Sequence, residues 1–127
     1  MNNPPLILVV DDDWMNRELL QAHLEGYEVM TANNGEKALQ MAILRPPDLV
    51  IVDVRMPGIS GYEFCIRLRA NEAISHVPVL MLSGLEGEEP RRRAFESGAN
   101  DLLTKPFDSR VLMERVRSFV NSNPAEK

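Results

Sequence analysis

At 127 residues the chain has the length of a single domain with a real core, and its 44% apolar and 26% charged content is ordinary for a globular protein. The net charge of −5 argues against a nucleic acid partner, and the single cysteine rules out an internal disulfide or a cysteine-rich zinc site and points to a reducing compartment. No apolar run approaches the roughly 20 residues of a membrane span. The opening MNNPPLILVV lacks a basic n-region, so no membrane partner is expected and the address is expected to be cytoplasmic.

In chain order, the first strand is expected over Leu6–Val10, an unbroken apolar run that stops at Asp11, Asp12 and Asp13. A helix of about Met15–Glu25 follows, with Met15, Leu19 and Ala22 at i, i+4, i+7 as its apolar face and Gly26 as its stop. Tyr27–Thr31 reads as strand two. Helix two begins after Asn34-Gly35, carries Ala38, Met41 and Ala42, and ends before Pro46-Pro47. Strand three is Leu49–Val52. Helix three runs from about Gly61 to Asn71 with Phe64 and Leu68 four apart. Val77–Leu82 is strand four, and Glu89–Ser97 is a polar helix with Pro90 in its first turn and Gly98 as its stop. A weaker strand at Leu102–Thr104 leads to a fifth helix, capped by Asp108, with Leu112, Val116, Phe119 and Val120 on one face. The valine, isoleucine and leucine content of these strands fits burial on both faces of a parallel sheet. Alternating β–α units imply right-handed crossovers with helices on both faces. One domain, 1–127, is expected, with a core of about 6–120 and a polar tail or linker start at 121–127.

Sites in open α/β sheets lie beyond the carboxyl ends of the strands. There the sequence places Asp11, Asp12 and Asp13 after strand one, Asp53 after strand three, Ser83 after strand four, and Lys105-Pro106 after strand five. No glycine-rich phosphate loop follows strand one, which weakens a nucleotide-binding reading. Carboxylates from two strand ends suit a hard divalent cation such as Mg²⁺. A lysine and a hydroxyl beside them suit a transferring phosphoryl group, with one carboxylate as nucleophile.

Taken in order, VVDDD, DLVIVDVRMPGISGYE, PVLMLSG and GANDLLTKPF resemble the receiver domain of two-component response regulators over about Leu6 to Val120. The resemblance implies a flavodoxin-like (βα)5 fold with strand order 2-1-3-4-5. It implies that Asp53 accepts the phosphoryl group, and that Asp11, Asp12, Asp53 and the backbone carbonyl of Arg55 hold Mg²⁺ or Mn²⁺. Asp12 is implied as a direct ligand and Asp11 as one acting largely through metal-bound water. Ser83 and Lys105 are implied to contact the phosphoryl oxygens, and Lys105–Pro106 to be cis. The implied donor is a sensor histidine kinase or a phosphotransfer protein. The implied output is a fused or separate effector, or a homodimer, engaged through helix four, strand five and helix five. Such a domain is a switch and not an enzyme in the ordinary sense. Three positions depart from or tune the family pattern: Leu102 where an aromatic is common, Arg55 two after the acceptor, and Gly84 after Ser83.

Two other functions compete. Asp11-x-Asp13 also matches the nucleophile motif of haloacid-dehalogenase-like phosphohydrolases, but that reading leaves Asp53 idle and puts Met15 where the motif favours Thr or Val. A pseudo-receiver that only binds partners is the other. Elsewhere, Asp13 reads as a cap of helix one, Cys65 as core, His23 and His76 as structural or exposed, and Trp14 as a partly exposed residue at the site edge. Arg91, Arg92 and Arg93 read as a solvated helix face, or alternatively as a charged partner surface with Asp101 and Arg115.

Overall fold

The computed structural model describes residues 3–120, and the tail expected at 121–127 lies outside them. Five strands, β1 (Leu6–Val10), β2 (Glu28–Ala32), β3 (Leu49–Asp53), β4 (Val79–Ser83) and β5 (Asp101–Thr104), alternate with five helices. The helices are α1 (Trp14–His23), α2 (Gly35–Leu44), α3 (Gly61–Ala70), α4 (Glu88–Ser97) and α5 (Ser109–Val120). All strand pairs are parallel and the order is β2-β1-β3-β4-β5, as expected from the sequence.

Strand alternation divides the core in two. Leu8, Val10, Val50, Val52, Val79 and Met81 face α2, α3 and α4, packing on Ala38, Ala42, Phe64 and Leu68. Ile7, Val9, Leu49, Ile51, Leu80 and Leu82 face α1 and α5, packing on Leu20, Leu24, Leu112 and Val116. β1, β3 and β4 are buried along their whole length, which explains their continuous apolar runs.

Helix starts follow the capping residues. The side chains of Asp13, Asn34 and Ser60 accept from the amides of Met15, Lys37 and Glu63 respectively. Asp108 accepts from the Arg110 amide at 2.8 Å and opens α5 as expected. α4 instead begins at Gly87 with no side-chain cap and ends at Gly98, whose φ of +110° is the left-handed conformation of a helix stop.

Several expected boundaries shift: β3 extends to Asp53, β5 begins at Asp101 and α4 at Glu88. β2 starts one residue later, because its register is set by pairing with β1 from Leu6–Glu28 to Val10–Ala32. β4 starts at Val79, because Val77 closes a turn by donating to the Ile74 carbonyl. The larger correction is α1, which ends at His23 and turns the expected face outward: Met15 is 56% and Leu19 58% exposed. The buried pair is Leu20 and Leu24, also four apart, which pack against β1, β3 and α5. Two overlapping apolar spacings were present, and the second won because it continues into the core beyond the helix end.

Candidate functional site

The first three aspartates have different local environments. Val10 ends β1 fully buried, so Asp11 leaves the strand at 2% exposure while Asp12 and Asp13 reach solvent. Asp11 Oδ1 accepts from the Asp13 amide at 3.0 Å, and its carbonyl accepts from Arg17 Nη1 at 2.7 Å. Asp13 Oδ1 is occupied by the Met15 amide. The middle residue, Asp12, is left with its carboxylate at the mouth of the site.

Asp53 arrives from the neighbouring strand. It is the last residue of β3 and only 7% exposed. Carboxylate oxygens of Asp11, Asp12 and Asp53 all lie within 4.8 Å of one another. Burial pushes the Asp11 carboxyl above its ordinary range; the bond from the Asp13 amide and the charge of Lys105 oppose this, and the charges of Asp53 and Asp12 add to it. An oxygen-only set of this kind is what Mg²⁺ or Mn²⁺ selects.

Lys105 closes the other side. Its Nζ lies 2.5 Å from Asp53 Oδ1, and its amide donates to the Ser83 carbonyl at 2.7 Å, which ties the end of β5 to the end of β4. The Lys105–Pro106 peptide is cis. Ser83, 1% exposed, follows Leu82, the register partner of Asp53. Its hydroxyl is engaged by its own loop, accepting from the Leu85 amide at 3.0 Å.

The start of α3 comes very close to the end of β3. A Cβ added to Gly61 would sit 2.5 Å from the Asp53 carbonyl and 3.0 Å from Val54 Cα, and the Gly61 amide donates to the Val54 carbonyl at 2.9 Å. No other residue type fits there without moving the backbone that carries Asp53.

The expected site residues therefore converge at one end of the sheet. A model of the response regulator receiver domain matches residues 7–117. The chain belongs to that family. Among curated relatives, the response regulator PleD of Caulobacter vibrioides is 46% identical over 115 residues, covering 89% of this chain and 25% of PleD. The transcriptional regulator RpaA of Synechocystis is 40% identical over 118 residues, covering 91% of this chain and 49% of RpaA. The chain thus spans half or less of these relatives' lengths. Among solved structures, the receiver domain of a signal transduction histidine kinase from Syntrophus aciditrophicus matches with a TM-score of 0.88 at 33% identity, over 97% of this chain and 95% of that one. The receiver is a signalling switch and not a conventional enzyme. The hydrolase reading of Asp11-x-Asp13 gives way to this family match, and Asp13 serves as a cap.

The other residues singled out in the sequence lie elsewhere on the receiver or at its site edge. Trp14 is 63% exposed at the first position of α1, Cys65 is fully buried, and His23 and His76 are exposed. Leu102, at the position often aromatic, is 4% exposed and packs in the core on the α3 and α4 side. Arg91 lies 4.0 Å from Asp101, which also pairs with Arg115, so the α4, β5 and α5 surface carries its own internal ion pairs. Arg92 pairs with Glu89 and Glu96 on the α4 surface. Arg93 behaves differently: its guanidinium lies 4.2 Å from the centre of the Tyr62 ring, at a groove beside the acidic pocket. Nothing in the arginine run marks Arg93 apart from its neighbours, and sequence reasoning missed both it and Tyr62.

Proposed function

We propose that this receiver takes a phosphoryl group from a phosphohistidine donor onto Asp53 and thereby switches the surface formed by α4, β5 and α5. The observation that carries this reading is the cluster of Asp11, Asp12 and Asp53 with Lys105 on the Asp53 carboxylate. Asp11, Asp12, Asp53 and the Arg55 carbonyl would hold a divalent cation (Mg²⁺ or Mn²⁺), which when bound would supply charge neutralisation for the phosphoryl oxygens.

The remaining work falls to the chain itself. Asp53 attacks phosphorus in line; its carboxylate oxygen forms the new O–P bond as the donor's N–P bond breaks and the electron pair leaves on the imidazole nitrogen. Lys105, already on Asp53, offsets negative charge on the carboxylate and on the incoming oxygens. Phosphorylation then adds roughly −1.5 to −2 units of charge. The Ser83 hydroxyl exchanges its loop partner, Leu85, for a phosphoryl oxygen, and that shifts the populations of the β4–α4 loop and α4.

The donor is a sensor histidine kinase or a phosphotransfer protein. The output is a fused or separate effector, in keeping with the greater length of PleD and RpaA, or a homodimer through the switched face. No described helix is long and apolar enough to cross a membrane, and a cytoplasmic location is part of the proposal.

The test is intact mass after incubation with acetyl phosphate or phosphoramidate and Mg²⁺. One phosphoryl gain, absent in Asp53→Asn, is the expected result. No gain favours the pseudo-receiver, and a gain retained in Asp53→Asn moves the acceptor elsewhere. Turnover of a generic phosphomonoester in excess of protein favours the hydrolase.

A further inference from the structure

The two ends of α4 are attached very differently. At the carboxyl end, Ser97 is buried and meets the thiol of Cys65, and the Gly98 carbonyl accepts from Arg69 Nε at 2.9 Å. Arg69 is itself fixed. Its Nη1 donates to the carbonyls of Ser75 and Val77 at 2.9 and 2.6 Å, and its Nη2 to Asn100 Oδ1 at 2.8 Å. Asn100 in turn pairs with Val79, accepting from its amide through Oδ1 and donating its own amide to the Val79 carbonyl. One guanidinium fork thus joins the end of α3, the turn before β4, the end of α4 and the residue before β5, which a single ammonium group could not do. Gly98 lies directly against it: a Cβ there would sit 2.7 Å from Arg69 Cγ.

The amino end has no such attachment. α4 opens at Gly87, with a φ of +103° and no side-chain cap. Every residue from 84 to 89 is exposed, and a Cβ added to Gly84 or Gly87 would meet no atom within 4 Å. Among the described residues, the ion pair of this segment, Glu89 with Arg92, lies within α4 itself. The first turn rests on Pro90, a buried apolar contact with no N–H to donate. The preceding loop is held by the Ser83 hydroxyl, which accepts from the Leu85 amide. Between the ends, Arg93 stacks on Tyr62 and Arg91 stands 4.0 Å from Asp101. Both are single contacts of exposed arginines, weaker than a fork of four bonds. Tyr62, Cys65 and Arg69 recur at i, i+3, i+7, so one stripe of α3 carries these attachments, and they strengthen toward the carboxyl end of α4.

We propose that α4 is a lever hinged at its carboxyl end on Arg69, so that its amino end swings with the Ser83 loop while its carboxyl end stays fixed to α3 and the start of β5. As a switch element this rests on the phosphoryl-acceptor reading, and it names the residue about which the switched surface turns. The part of α4 that follows the Ser83 loop moves most, and the part beside Gly98 least.

The test is a pair of distances by double electron–electron resonance, each from a nitroxide at Glu18→Cys on α1 to one at Glu88→Cys or Glu96→Cys on α4. Cys65 is fully buried and stays unlabelled in the folded chain. Without any phosphodonor, the Glu88 distance distribution is expected to be clearly broader than that of Glu96. Arg69→Gln should broaden the Glu96 distribution to match, while Arg110→Gln, on the exposed start of α5, changes neither. A Glu96 distribution as broad as that of Glu88 in the wild-type chain overturns the proposal, whether or not Arg69→Gln folds, and so does a folded Arg69→Gln that leaves Glu96 sharp. In a second arm, acetyl phosphate and Mg²⁺ are added and mass gain is measured on the same sample. Ten residues of helix span about 15 Å, so a tilt of about 15° about Gly98 displaces Glu88 by roughly 4 Å and Glu96 by roughly 1 Å. Equal shifts at the two positions overturn the hinge. Absence of mass gain counts instead against the phosphoryl-acceptor reading, and the hinge is then decided by the unphosphorylated comparison.

Discussion

The two ends of the sheet contain similar polar residues and treat them oppositely. At the amino end every polar group named here finds a complementary partner. Asp48 Oδ2 accepts from the Leu6 amide at 2.7 Å, and the Asp48 amide donates to the Leu6 carbonyl, joining β1 to β3. Asn100 Oδ1 accepts from the Val79 amide and from Arg69 Nη2. Arg69 also donates to the carbonyls of Ser75, Val77 and Gly98. At the carboxyl end three carboxylates crowd within 4.8 Å and one ammonium group, Lys105, sits on one of them. At the amino end the Asp48 carboxylate and the Asn100 side-chain oxygen stabilise the fold by accepting from the buried Leu6 and Val79 amides. The carboxylates at the carboxyl end oppose it through mutual repulsion, and under the proposed function that crowding is what would hold a cation beside the acceptor Asp53.

Substitutions at the two ends should separate the two roles. The largest effect is expected at Asp53: Asp53→Asn abolishes the phosphoryl mass gain while the protein stays folded, by far-UV circular dichroism. Asp12→Ala should remove the Mg²⁺ dependence of phosphorylation, read from the rate of mass gain across a Mg²⁺ series, with little change in urea midpoint. At the amino end Arg69→Ala should do the reverse. It strips partners from three carbonyls and Asn100, and a loss of about 2–4 kcal/mol in urea unfolding is expected, with phosphorylation retained at temperatures where the variant is folded. If Arg69→Ala were neutral, the contrast between the ends would collapse.

Smaller effects sharpen the comparison within the aspartate run. Asp13→Ala removes a helix cap and should cost about 1 kcal/mol without loss of phosphorylation. Asp11→Asn should instead raise the urea midpoint slightly in EDTA. The sign follows from the raised Asp11 carboxyl: as pH climbs from the ordinary carboxylate range, the unfolded chain releases this proton first, so the folded state binds more protons and stability falls. The variant should flatten that fall between acidic and neutral pH. An unchanged pH profile would mean that Asp11 is already compensated without a cation.

Much of the fold was legible because its signals are local. Buried parallel strands require continuous apolar runs, and Leu6–Val10 and Leu49–Val52 carry them. Caps require short polar side chains at fixed offsets, and Asp13, Asn34, Ser60 and Asp108 supply them. The site was legible for a topological reason: in a parallel sheet, residues that follow strands gather at one edge, so Asp11, Asp12, Asp53, Ser83 and Lys105 converge however far apart they lie in sequence. The face of α1 was not legible, since two apolar spacings overlapped and only packing against α5 and the sheet chose Leu20 and Leu24.

By itself, then, the sequence determined the α/β alternation, the strand-end chemistry and the family, all of which depend on residue type and order. Tertiary structure decided which of equivalent residues does what. It turned Arg93, but not Arg91 or Arg92, onto Tyr62, and it placed Arg55 in the same groove. It left the Ser83 hydroxyl on its own loop and Lys105 on Asp53. Those choices depend on helix rotation and on distances across the sheet, which arise only when separate elements pack together.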